Sequence, residues 1–261
     1  MPIFNNMNHN HKLDFLSFLR STGIILLVLI GLLFYPYNTA IANASTNVYE
    51  QKSFPSSDGI GKVYMGREIS QVMGHKGAMW LERPTRESQE QPSKIVNALD
   101  LKDTDVVADI GAGTGYMSFR IAPKVLDGKV FAVDIQPEMS DIIDFFKKET
   151  KIDNVEPVLA TATNPNLPPV SVDLALMVDA YHEFEYPREV MQGIVKSLKP
   201  GGKAVLVEYR GENPFIAIKR LHKMTQKQVK KEMKAVGLTW KETKELLPQQ
   251  HLMIFEKDVS S

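Results

Sequence analysis

From Pro92 to Glu256, short apolar runs rich in β-branched residues take turns with segments of helical spacing. Val106–Ile110 is one such run, and Tyr116–Val125 is the helical segment behind it. Val130–Val133 precedes Pro137–Lys148, where Met139, Ile142, Ile143 and Phe146 fall on one helical face. Val155–Leu159 and Val172–Val178 read as further buried strands, and Pro187–Leu198 as a helix stopped by Lys199-Pro200-Gly201-Gly202. Ala204–Glu208 continues as strand and Thr225–Ala235 as a basic amphipathic helix ended by Gly237. Leu238–Leu247 and His251–Glu256 then read as two strands joined around Pro248. Strict alternation of this kind buries both element types as a parallel sheet covered on both faces, an α/β fold. The closing strand–turn–strand adds one antiparallel strand.

The first strand and its helix are joined by Asp109-Ile-Gly-Ala-Gly-Thr-Gly115. Glycine permits the tight turn and a close approach of backbone to ligand, and the helix start offers free N–H groups. A dinucleotide fingerprint needs glycine at position 116, where this chain has Tyr116. The acid at Asp109 would repel a diphosphate but suits ammonium and sulfonium groups. Asp134, nineteen residues beyond Gly115, ends the second strand, where a carboxylate accepts hydrogen bonds from ribose hydroxyls. A later strand ends in Asp179. Loop and acids together point to a nucleoside cofactor with a positively charged sulfur. An NAD-dependent oxidoreductase and a non-catalytic binding module of the same fold remain the alternatives.

These residues resemble the class I S-adenosylmethionine-dependent methyltransferases. Val106–Ala122 is similar to their first motif, Lys129–Met139 to the segment after it, Asp173–Phe184 to the fourth, and Leu198–Glu208 to a helix-to-strand turn of small-molecule members. A group of exported-type members is similar at Tyr64–Arg67, Trp80–Pro84, Val178–Phe184 and Leu221–Met224. The resemblance implies a Rossmann-like, doubly wound seven-stranded sheet of order 3-2-1-4-5-7-6 with its last strand antiparallel and helices on both faces. It also implies S-adenosylmethionine as methyl donor. By position, Asp109, Gly111, Ala112, Gly113 and Gly115 would line the methionine end, Asp134 and Ile135 the ribose and adenine, Thr161 or Ala162 the adenine, and Asp179 the transferable methyl. The acid that many relatives carry after the third strand is missing from Leu159–Thr163.

Tyr181-His-Glu-Phe184 follows the fourth strand, at the edge where such sheets place ligands. His182 is the candidate general base, with Glu183 orienting it or gripping a cationic acceptor. Before the core, Arg67, His75 and Trp80, together with Tyr181 after the fourth strand, are candidate acceptor contacts. Histidines 75, 182, 222 and 251 are scattered without metal-ligand spacing, and cysteine is absent, so no metal is expected.

Basic and acidic residues balance at 31 each, which gives no global attraction to nucleic acid. A small-molecule or lipid-like acceptor is therefore expected, with no nucleic-acid partner. Lys12 and Arg20 precede an uncharged run from Gly23 to Tyr35, and Ala42 and Ala44 precede Ser45. That order reads as an export signal over residues 1–44, or as a membrane anchor if uncleaved, with the enzyme exported or facing outward. Residues 45–60 read as a linker, 61–91 as a helical cap segment, and 92–261 as the methyltransferase domain.

Overall fold

The computed structural model describes residues 48–259; the expected export segment lies outside them. No described helix is long and apolar enough to cross a membrane.

The chain first forms a small antiparallel sheet of β1 (Tyr49–Gln51), β2 (Gly59–Tyr64) and β3 (Arg67–Ser70). Met65 and Gly66 join β2 to β3, both at positive φ, which is the twist a two-residue hairpin loop requires. The linker and helical-cap expectations are therefore corrected, because strands occupy much of 49–70. Short helices do follow, at Ala78–Leu81, Arg86–Glu90 and Pro92–Ala98.

The central sheet is built from β4 (Val106–Ile110), β5 (Lys129–Asp134), β6 (Val155–Leu159), β7 (Val172–Val178), β8 (Leu198–Tyr209), β9 (Leu238–Lys244) and β10 (Gln250–Lys257). Its order is β6-β5-β4-β7-β8-β10-β9, the expected 3-2-1-4-5-7-6. β4 is parallel to β5 and β7, and β10 is antiparallel to both β8 and β9. One face packs Val107, Leu174, Leu176 and Val205 against Ile95, Ile121 and Ile143. The other packs Ala108, Ala175, Met177 and Leu206 against Val190, Met191, Val229 and Met233, carried by the helices Pro187–Ser197 and Gln226–Ala235. Burial on both faces explains why the central strands read as continuous apolar runs.

The expected helix over 116–125 is shorter, an α-turn at Ser118–Ile121 that passes into a 3-10 turn where Pro123 intervenes. Thr225 caps the Gln226–Ala235 helix, its hydroxyl accepting from the Gln228 amide at 3.2 Å. β4, β5 and β7 end side by side, so their C-terminal loops open into one crevice.

Candidate active site

A cavity of about 620 Å³ occupies that crevice, within the roughly 300–1,000 Å³ typical of small-molecule sites. Gly111 and Gly113 form its floor, both at positive φ. A Cβ on Gly111 would stand 2.6 Å from the Ala180 methyl, and one on Gly113 would stand 2.5 Å from Leu81 Cδ1. The loop is therefore bare backbone because its neighbours leave room for nothing else.

Asp134 closes β5 beside this floor. Its Oδ2 accepts from the Gly113 amide and its Oδ1 from the Gln136 amide, both at 2.9 Å. The carboxylate is thus aimed by two backbone donors, and it borders the cavity with lone pairs to spare. Burial raises its pKa, against the lowering effect of these same amides. Ile135, Thr161 and Ala162 continue the wall on this side.

Asp179 stands at the end of β7, at φ 49, with its amide held by the Val207 carbonyl at 2.8 Å. Gln250 donates to its Oδ2 at 2.6 Å, while its Oδ1 is enclosed with no hydrogen-bond partner. Burial, followed by the charges of Glu90 and Glu208, pushes the Asp179 pKa well up. A carboxylate in this state is relieved by a cation.

Beyond Asp179 comes the 3-10 turn Tyr181–Glu183. His182 is almost wholly buried, its Nδ1 2.6 Å from Glu208 Oε2 on β8. Burial disfavours the imidazolium, but the charge and hydrogen bond of Glu208 outweigh it and raise the His182 pKa. His182 Nε2 lies 3.1 Å from His222 Nδ1, and Glu183 Oε1 lies 3.5 Å from that same atom. All three side chains border the cavity. Two of the four scattered histidines therefore converge, contrary to expectation; His75 and His251 do not join them.

Gly111, Gly113, Asp134, Ile135, Thr161, Asp179, His182, Glu183 and Trp80 border the cavity, whereas Asp109, Ala112, Gly115, Arg67, His75 and Tyr181 do not. Asp109 shares the sheet face of Val107 and points under the loop, where Ser118 Oγ donates to it at 2.7 Å. Burial raises its carboxyl to about 6. The charge argument first attached to Asp109 thus falls on Asp179. Arg67 makes a two-pronged ion pair with Glu232 and donates from Nη1 to the His182 carbonyl at 3.0 Å. It anchors the Tyr181–Glu183 turn from outside the cavity. Tyr181 is buried, its hydroxyl donating to Glu232 at 2.6 Å. His75 faces Glu138, with its amide held by the Gln136 side chain at 2.7 Å. Glu208, not Glu183, orients His182.

Residues that sequence reasoning passed over also line the site. Arg86 and Glu90, one helical turn apart, pair at 2.8 Å, and Tyr209 donates to Glu90 at 2.7 Å. Their i,i+4 spacing was visible, but only the fold turns that helix toward the glycine loop.

The family described as "Methyltransferase domain" matches residues 108–206. The chain is 31% identical over 111 residues to the uncharacterised methyltransferase YcgJ of Bacillus subtilis (strain 168), covering 42% of this chain and 43% of that protein. It is 29% identical over 120 residues to a tRNA U34 carboxymethyltransferase of Desulfotalea psychrophila, covering 44% and 36%. The alignments thus span less than half of either relative. A solved structure of a SAM-dependent methyltransferase from Aquifex aeolicus shares the fold, with a TM-score of 0.67 at 20% identity over 71% of this chain and 99% of that one. Residues 108–206 thus match a methyltransferase family, and the fold agrees with that match. The cofactor that the sequence resemblance implies is S-adenosylmethionine.

The residues present fit that cofactor. Asp134 would take the ribose hydroxyls, Ile135 would flank the base, and the Asp179 carboxylate, which lines the same cavity, would offset the charge of a cationic methionine end. Arg86, paired with Glu90, lines the same cavity.

Proposed function

We propose that this domain moves a methyl group from S-adenosylmethionine to a small-molecule or lipid-like acceptor held against His182, Glu183 and His222. The observation that carries the reading is the pair of carboxylates on the cavity wall, Asp134 aimed by two backbone amides and Asp179 between the glycine loop and the His182 turn. Bound there, the cofactor supplies an electrophilic methyl whose bonding pair stays with sulfur as the acceptor atom attacks from the opposite side.

The protein's part is alignment and proton management. Gly111 and Gly113 allow close approach, and Asp134 fixes the nucleoside by its backbone-aimed carboxylate. With Nδ1 held by Glu208, His182 turns Nε2 toward the acceptor half and takes the proton of an acceptor that arrives protonated. Trp80 and Arg83, stacked 3.9 Å apart, line the cavity from the pre-core segment.

The test uses the purified chain with cofactor labelled in its methyl group, offered phenols, hydroxylated quinones, amines, an envelope lipid extract and bulk tRNA. Label in an organic-extractable product is the expected result. Label in tRNA, or no transfer while cofactor binds tightly, contradicts the proposal.

A further inference from the structure

We infer that His182, Glu183 and His222 form a site for one divalent transition-metal ion, open toward the cavity. The three meet from two separate turns, Tyr181–Glu183 and Arg220–His222. His182 Nε2, His222 Nδ1 and Glu183 Oε1 form a triangle with sides of 3.1, 3.5 and 3.8 Å. The point equidistant from all three corners lies about 2.0 Å from each, the length of a zinc bond to imidazole nitrogen or carboxylate oxygen.

The remaining atoms of two of these side chains are anchored, as they are around bound metals. Glu208 holds His182 Nδ1 at 2.6 Å, which leaves the lone pair on Nε2. The Met73 amide donates to Glu183 Oε2 at 3.1 Å, which leaves Oε1 for the ion. Charge agrees with geometry. Glu183 and Glu208 face the same imidazole, and Arg67, the guanidinium that acts on His182, is taken up by both oxygens of Glu232. Two imidazoles and one carboxylate select a first-row transition ion over magnesium or calcium, which prefer all-oxygen shells. Three protein ligands leave an open position, and it faces the space where the acceptor sits.

This inference rests on reading that wall as the acceptor end of a methyltransferase. It changes the role of His182 from proton acceptor to ligand. An acceptor oxygen or nitrogen occupying the open position is acidified there, and its proton leaves to water.

The experiment strips the full chain with chelator and titrates it with Zn²⁺ against a competing indicator, then with Co²⁺ while recording visible absorption. S-adenosylhomocysteine binding, measured separately on every sample, reports folding and cofactor recognition. One ion per chain is expected, with intense tetrahedral-type Co²⁺ bands. His222→Ala and Glu183→Gln should each weaken binding at least tenfold, and Glu208→Gln by roughly 10- to 100-fold. Absence of ion binding by the wild type, or wild-type ion affinity in both ligand variants, overturns the inference and leaves the methyl-transfer reading standing. Failure of the wild type to bind S-adenosylhomocysteine sinks that reading instead.

Discussion

Replacing Asp134 by alanine should separate cofactor recognition from folding. The carboxylate accepts two backbone amides at 2.9 Å, and its free lone pairs border the cavity. In Asp134→Ala the cofactor loses charge-assisted hydrogen bonds at the ribose, worth about 1–3 kcal/mol in total once solvent exchange is counted. That corresponds to a rise in Kd of about 5- to 150-fold. The Gly113 and Gln136 amides also lose their acceptor, so the unliganded variant should be less stable by about 1–3 kcal/mol. Calorimetric titration with S-adenosylhomocysteine gives the first quantity and urea unfolding without ligand gives the second. Because the glycine loop is held through Gly113, some affinity loss could follow from loop movement alone. Asp134→Asn addresses this, since its volume is kept and its remaining oxygen still accepts from one of the two amides, while its NH2 group opposes the other and the charge is lost. Unchanged affinity in both variants would refute the reasoning and remove Asp134 from the site.

Two further expectations concern the groups that frame the site. Burial holds the Asp109 carboxyl at about 6, above its ordinary value of 3.8. Between those values the folded state binds more protons than the unfolded one, so this group's stabilising contribution is full below about pH 4 and lost as pH rises to about 6, on the order of 3 kcal/mol. Asp109→Asn cannot titrate, so the stability of wild type relative to this variant should fall across that window, and parallel pH profiles in urea unfolding would contradict it. Arg67→Ala leaves Glu232 charged and buried and frees the His182 carbonyl, so it should cost about 3–5 kcal/mol; an unchanged urea midpoint would show that the pair is not an anchor.

The sheet was legible because its signals are periodic and local. β4, β5, β7 and β8 are apolar runs, the helices Pro137–Thr150 and Pro187–Ser197 each begin with proline, and the strand order is the one the family resemblance implies. The glycine loop and Asp134 were legible for the same reason, since position along a strand–loop–helix unit fixes where they point. Asp109 was misassigned although the clue was present. It stands two residues after Val107, on the core face of its strand, and so turns toward Ser118 and away from ligand. The hairpin of β2 and β3 was also marked, by Gly66 after Met65, but the mixed polarity of 59–70 masked its two-residue period. The meeting of His182, Glu183 and His222 had no sequence signature. Forty residues separate the histidines, and only the register of β7 and β8 with the Arg220–His222 turn brings them together.

The most direct test of the central claim is a structure of the chain with S-adenosylhomocysteine bound. The account predicts ribose hydroxyls on Asp134, the amino group or sulfur against Asp179, and an open channel from sulfur to His182. A nucleoside bound elsewhere, or one bound in the crevice with both aspartates turned from it, would contradict the account.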